Sequence, residues 1–113
     1  MAAIANFTIE QGTHFSSDVT VTDNAGDAFD LTGYTAFSAL TKGFSSFYTR
    51  TTITTTITTP STGIITLDLN ADQTASLEEG RYVYDVEIIR GSDSTVTRVI
   101  EGLITVTPRA SRV

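Results

Sequence analysis

The stretch from residue 80 to residue 88 constrains the fold of this chain more than any other. Gly80 closes a turn, and large aromatic or aliphatic side chains then recur at every second position: Tyr82, Tyr84, Val86 and Ile88. The positions between them carry Arg81, Val83, Asp85 and Glu87. A period of two with one largely apolar face is typical of a strand that packs one face on a core. The stretch therefore predicts a core strand of a β-sheet.

The approach to this strand, from Glu78 to Tyr84, resembles the start of the F strand of an immunoglobulin domain. Tyr82 takes the place of the corner tyrosine, and Tyr84 takes the place of the second cysteine, so the usual disulfide is absent. A buried phenol without a partner costs about 1–3 kcal/mol. The resemblance therefore implies that the Tyr82 hydroxyl bonds a backbone group in the preceding turn.

Composition extends the strand prediction to the whole chain. Thr, Val and Ile are frequent, Leu-rich helical windows are missing, and 113 residues suffice for one core. We expect a single all-β domain over residues 1–113, an immunoglobulin-like antiparallel β-sandwich of about seven strands, with residues 108–113 as a tail. One short helix before strand F is predicted over residues 70–77, with Asn70 as its N-cap and Ala71, Ala75 and Leu77 facing inward.

Two other segments carry structural predictions. In the loop before the third long strand, Asp30 can bond local backbone N–H groups, Leu31 can reach the core, and Gly33 frees the chain to turn. This loop is predicted to be an anchored crossover. In the last strand, Gly102 interrupts the apolar pattern, which indicates a β-bulge or a close approach of another backbone segment.

A threonine-rich segment from residue 44 to residue 59 is predicted to form a long strand at a sheet edge, ending at Pro60. β-Branched residues keep it extended, and an edge tolerates the missing N–H of proline. Such an edge offers unpaired backbone groups to another chain. Its hydroxyl face supplies candidate partner-binding residues: Thr52, Thr54 and Thr56.

Charge excludes one class of partner. The net charge is −6 with a pI near 4.4, whereas binding to a phosphate backbone relies on clustered Lys and Arg, so no nucleic-acid partner is expected. No segment approaches the length of a membrane span, so no membrane partner is expected either. The C-terminal tail is locally basic, and Arg109 and Arg112 are candidates for binding an acidic partner.

The sequence shows no arrangement of acid, base and nucleophile that is typical of a catalytic site. The chain has no cysteine, and its one histidine, His14, lies beside a Gly-Thr turn without a recognised catalytic or metal-ligand spacing. Four aspartates in early turns suggest calcium, but they lack the EF-hand register: Asp18, Asp23, Asp27 and Asp30. Asp85 and Glu87 fit a solvated strand face better than a glycosidase pair. We therefore predict no enzymatic activity, no catalytic residue, no cofactor and no bound metal.

Three stretches in order resemble small β-sandwich structural proteins of tailed bacteriophages, including the N-terminal domains of upper baseplate proteins. They are the Asp-Leu-Thr-Gly-Tyr loop at 30–34, the segment from Gly63 through Leu69 to Leu77, and the strand start at 80–86. The ending at 101–108, followed by an arginine-containing tail, is also similar to that group. The resemblance covers about residues 7 to 108.

The resemblance implies a non-enzymatic virion structural protein that assembles in the tail, baseplate or neck. Its partners would be other virion proteins and further copies of itself, and its location would be the virion assembled in the host cytoplasm. Two alternatives stay open at this point. One is a capsid decoration protein, and the other is a carbohydrate-binding host-adhesion module that uses Phe44, Phe47 and Tyr48.

Overall fold

The computed structural model describes residues 3–23, 25–43 and 50–108. These ranges are mostly β: β1 (Ala3–Ile4), β2 (Phe7–Glu10), β3 (Phe15–Thr20), β4 (Tyr34–Thr41), β5 (Thr51–Thr56), β6 (Ile64–Leu69), β7 (Gly80–Arg90) and β8 (Val96–Thr107). They also contain one 3₁₀ turn, Pro60–Thr62, and one helix, α1 (Ala71–Ala75). No helix within them is long and apolar enough to cross a membrane. The predicted all-β character is confirmed.

The strands form one curled, mixed sheet in the order β1-β8-β7-β4-β5-β6-β3, with β2 also beside β8. The pairings from β8 through β7, β4, β5 and β6 to β3 are antiparallel. β1 and β2, however, run parallel to β8, with Ile9 opposite Val106. The prediction of a wholly antiparallel arrangement is therefore wrong, because the first strands join the sheet beside the last one, where the chain direction is the same.

β5 does not lie at a free edge, so that prediction is also wrong. Its first half, Thr51 to Ile53, pairs with β4, and its second half, Thr54 to Thr56, pairs with β6. β5 thus joins the β8-β7-β4 part of the sheet to the β6-β3 part. The described edges are instead formed by β3 at one end and by β1 and β2 at the other.

Both parts of the sheet bury their inner side chains in one core. β6 contributes Ile65, Leu67 and Leu69, and the alternating residues of β7 fill the opposite side, as their spacing predicts. Leu31 is also buried, which confirms that the 30–34 loop reaches the core. Burial of this apolar area is the main favourable term in folding.

The predicted helix is present, but it turns a different side inward. Asn70 is its N-cap: the Gln73 N–H donates to Asn70 Oδ1 at 2.8 Å, and the Asn70 N–H donates to Gln73 Oε1 at 2.9 Å. Leu77 is buried as expected, but Ala71 and Ala75 are exposed. Thr74 is buried in their place, because its hydroxyl donates to the Thr13 carbonyl at 2.7 Å.

Candidate interaction surfaces

The tyrosine corner has the predicted geometry. The Tyr82 hydroxyl donates to the Glu78 carbonyl at 2.9 Å, four residues upstream, and Gly80 between them has φ +131°. Lys42 Nζ lies 5.2 Å from the centre of the Tyr82 ring, within cation–π range, and also donates to the Glu79 carbonyl at 3.4 Å. Burial raises the pKa of Tyr82. The corner is a structural site that fixes the start of β7.

Tyr84 holds a second structural site, at the junction of β1 and β2. Its hydroxyl donates to the Ala5 carbonyl at 2.6 Å, and burial raises the pKa of Tyr84 to about 12. The Ala5 N–H donates to the Glu101 carbonyl at 3.0 Å, and Asn6 Oδ1 accepts from the Leu103 N–H at 2.9 Å. We call these three hydrogen bonds the clasp, because they hold the junction of β1 and β2 against β7 and β8.

Gly102 permits this clasp. A Cβ at that position would lie 2.1 Å from the Ala5 carbonyl oxygen, so the predicted close approach is confirmed. The bulge lies elsewhere: the register between β7 and β8 shifts after Val86, where Ile100 faces Val86 and Arg98 faces Glu87.

The 30–34 loop is anchored at each end. Asp30 Oδ1 accepts from the hydroxyl of Thr32 at 2.7 Å and from its N–H at 3.0 Å, which holds the pKa of the Asp30 carboxyl below its usual value. The Leu31 N–H donates to the Pro60 carbonyl, and the Gly91 N–H donates to the Gly33 carbonyl, both at 2.9 Å. Gly33 itself has φ +83°. The loop therefore ties two distant turns together.

The three threonines predicted to bind a partner lie on two different surfaces. Thr52 pairs with Ala39 of β4, whereas Thr54 and Thr56 pair with Asp68 and Thr66 of β6. All three are exposed, as expected for the hydroxyl side of β5. The predicted tail residues Arg109 and Arg112, and the predicted sugar-binding residues Phe44, Phe47 and Tyr48, lie outside the described residues.

The outward side of β4, β7, β8 and β1 collects apolar side chains, and we call it the Phe37 face. In the described ranges, every large hydrophobic residue that is exposed belongs to it: Ile4 (76% exposed), Val96 (55%), Phe37 (44%) and Leu103 (36%). The register places each of these residues in the row of outward side chains, because Phe37 faces Glu87, Ile4 faces Glu101 and Leu103 faces Val83. The exposed apolar residues therefore share one outward side of the sheet, with charged residues between them.

Charged groups lie at the centre of the Phe37 face. Arg98 Nε is 3.4 Å from Asp85 Oδ2, and Arg98 Nη1 is 3.8 Å from Glu101 Oε1. Beside them is a shallow hollow of ≈ 270 Å³ whose walls include Phe37, Ala39 and Thr41. The Thr41 hydroxyl is buried and has no hydrogen-bond partner within the described residues. This surface therefore has charged residues at its centre and exposed apolar residues around them.

The outward side of β3, β6 and the second half of β5 is different, and we call it the threonine face. Apart from Ile64, which lies opposite Thr20, its rows are hydroxyl and carboxylate groups: Ser16, Asp18, Thr20, Thr54, Thr56, Thr66 and Asp68. They bond one another, since the Thr66 hydroxyl donates to Asp18 Oδ1 at 2.7 Å. His14 joins them through a contact of 2.8 Å between Nε2 and Asp68 Oδ1, while staying 62% exposed. This side is a solvated sheet surface.

Within residues 3–23, 25–43 and 50–108, no group of three or more His, Asp or Glu side chains could hold a metal ion. Three of the four aspartates of the early turns accept hydrogen bonds within the protein instead. Asp23 Oδ1 accepts from two backbone N–H groups of its own turn, and Asp18 and Asp30 accept from Thr66 and Thr32.

No family model matches the chain, and no curated protein matches it. Among solved structures, the chain is similar to the crystal structure of InlP from Listeria monocytogenes, with a TM-score of 0.50 and 17% identity over 94% of this chain. The match covers 28% of the Listeria chain, so this chain spans less than a third of that protein. The Lin-41 filamin domain gives a TM-score of 0.39 and 18% identity over 81% of each chain. At 17% identity the first likeness concerns the fold alone.

Proposed function

We propose that this chain is a non-enzymatic structural protein of a tailed bacteriophage virion, which assembles in the tail, baseplate or neck through protein–protein contacts. The observation that carries the protein–protein part of the proposal is the gathering of the exposed apolar residues on the Phe37 face. The phage setting rests on the resemblance of the 30–34, 63–77 and 80–86 segments to small phage structural domains.

The fold we propose is an immunoglobulin-like β-sandwich. Two features support it: β5 divides its pairing between two parts of the sheet, and both parts contribute to one core. A tyrosine corner that closes on Glu78 and a first strand that pairs with the last also suit such a domain. In a domain of this kind the loops and strand faces carry the binding role.

The Phe37 face suits assembly because regular backbone pairing supports most of it. It is spread over paired strands, so the partner meets side chains that the sheet already holds in place and little ordering entropy is lost on contact. Protein interfaces usually place apolar side chains at the core and charges at the rim, so a partner for this face must pair with the charges at its centre.

Incorporation into particles tests the proposal. Particles produced without this chain are supplemented with the native chain, with Phe37→Lys plus Val96→Lys, or with Thr54→Lys as the matched control on the threonine face. We expect the native chain and the control to be incorporated equally, and the double variant to fall by about tenfold or more, which is about 1.4 kcal/mol of lost contact energy. Absence of the native chain from particles, or equal incorporation of all three, would overturn the proposal.

The same assay separates the alternatives. A chain lacking residues 108–113 should keep its fold but enter particles less well, because Arg109 and Arg112 would no longer meet an acidic neighbour. Addition to fully formed capsids, with tails unaffected, would favour the decoration protein instead. Binding to host-surface glycans that is lost in Tyr48→Ala would favour the adhesion module.

A further inference from the structure

We propose that the Phe37 face pairs with the same face of a second copy of this chain. The two sheets would meet face to face about a two-fold axis that runs across the strands, between the row of Phe37 and the row of Ala39. The inference rests on the proposed function for its setting in the virion, and on the register of β4, β7 and β8 for its geometry.

The outward side chains of the three strands form four rows. The first row is Thr35, Ile89 and Val96, and the second is Phe37, Glu87 and Arg98. The third row is Ala39, Asp85 and Glu101, and the fourth is Thr41, Val83 and Leu103. A two-fold axis between the second and third rows exchanges the second with the third and the first with the fourth.

This exchange brings unlike shapes together. Phe37 meets Ala39 of the second copy, so a large exposed ring lies opposite the smallest side chain of the face, beside the hollow of ≈ 270 Å³. Val96 meets Leu103 of the second copy, so two half-exposed apolar residues cover each other. Because the axis repeats each contact, one interface contains two Phe37–Ala39 pairs and two Val96–Leu103 pairs.

The outward residues of one strand form a column, and in the column of β8 opposite charges of the two copies face each other. Arg98 lies opposite Glu101 of the second copy, and the reciprocal pair forms on the other side of the axis. In the β7 column, Glu87 faces Asp85 of the second copy, which is unfavourable, but Arg98 lies beside both carboxylates in its own chain. The four rows carry three acids and one base, against thirteen acids and seven bases in the chain. Arg98 is the one base in the four rows, so the charge at position 98 decides whether the two faces attract or repel each other.

The predicted contact is small. Strands about 4.8 Å apart with a rise of about 3.3 Å per residue give a patch of about 330 Å² for the three strands and the seven residues that the four rows span. Two copies then cover about 670 Å², which is below the size of about 1,000 Å² expected of a stable specific interface. We therefore expect a weak dimer in solution that gains from the multiple copies on a particle.

The chain has no cysteine, so single introduced thiols report the geometry without background. Val96→Cys and Leu103→Cys are prepared separately and then mixed with a bismaleimide cross-linker that spans about 10 Å, the spacing of two sheets packed face to face. In the proposed pairing, each residue lies about 20 Å from its own equivalent along the strands but opposite the other residue. The mixture should therefore form cross-linked dimers at least tenfold more readily than either variant alone. A Thr54→Cys and Thr66→Cys mixture, on the threonine face, is the matched control.

Sedimentation equilibrium then measures the association of the native, uncross-linked chain, whose monomer is 12.1 kDa. Phe37→Lys and Arg98→Glu should each raise the dissociation constant at least tenfold, Glu87→Gln should lower it, and Thr54→Lys should leave it within twofold. Urea unfolding of each variant confirms that the domain is intact.

The outcomes separate the two proposals. A native chain that stays monomeric up to about 1 mM, or cross-linking of Val96→Cys alone that equals the mixture, overturns the pairing. A monomer that still enters particles leaves the proposed function standing. A dimer that responds to these substitutions but never enters particles supports the pairing and overturns the virion role.

Discussion

Substitution of Gly102 by alanine tests how the N-terminal strand is held. The new Cβ would lie 2.1 Å from the Ala5 carbonyl oxygen and 2.8 Å from Asn6 Oδ1. A carbon atom and a carbonyl oxygen approach to about 3.3 Å at closest, so the β1–β2 junction must retreat by about 1 Å or more. Gly102 does not have a left-handed φ, so the clash alone is the cause of the effect.

The retreat should break three hydrogen bonds. These are Tyr84 to Ala5, Ala5 to Glu101, and Leu103 to Asn6. At about 1 kcal/mol each, their loss costs about 3 kcal/mol. Alanine lowers the conformational entropy of the unfolded chain relative to glycine, which stabilises the variant by about 0.5–1 kcal/mol. The expected net loss in free energy of unfolding is therefore about 2 kcal/mol.

Urea unfolding followed by tyrosine fluorescence measures this loss, since the chain has four tyrosines and no tryptophan. Gly26→Ala is the control, because nothing lies within 4 Å of its added Cβ and only its φ of +86° is unfavourable. Tyr84→Phe should cost about 1–2 kcal/mol in the native chain and almost nothing in the Gly102→Ala background. Stability within about 0.5 kcal/mol of native for Gly102→Ala, or an unchanged Tyr84→Phe cost, would refute the clasp.

Three further predictions concern single groups. Thr41→Val should raise the free energy of unfolding by about 1 kcal/mol in urea titration, because it removes a buried hydroxyl that lacks a hydrogen-bond partner in the described structure. A loss of stability would show that this hydroxyl does have a hydrogen-bond partner. Asn70→Ala should cost about 1 kcal/mol in the same assay, and Asn70→Asp, which keeps the cap, should restore most of it. Because the pKa of Tyr84 is raised to about 12 in the folded chain from about 10 when unfolded, stability should be full below pH 10 and should fall as pH rises toward 12. Tyr84→Phe should flatten this fall, and an unchanged pH profile would contradict the assignment.

Local features of the fold were predictable from sequence. The Asn70 cap and the Tyr82 corner each close over three or four residues, so their donors and acceptors stand together in the printed sequence. The buried face of β7 follows from alternation alone, since a strand turns successive side chains to opposite sides. Such features need no knowledge of which strands are neighbours.

Pairing between distant segments was not predictable in the same way. Alternation tells which face of a strand is buried but not which strands flank it, so the position of β5 between β4 and β6 could not be read from its threonines. A glycine in β8 signalled a close approach, but its partner Ala5 lies almost a full chain length away. The parallel pairing of β2 with β8 has the same origin.

The Phe37 face shows most clearly what the arrangement of strands adds. Ile4, Phe37, Val96 and Leu103 lie on three strands, and each one alone is an ordinary exposed residue in a mostly polar segment. Only the order β1-β8-β7-β4 brings them to one side, while the same sheet turns hydroxyl groups outward on β3 and β6. Burial of such a patch is favourable only against another surface, whereas hydrated threonines lose little by staying in water. The asymmetry between the two outward surfaces is therefore the reason to look for the partner at the Phe37 face, and not along the threonine-rich strand.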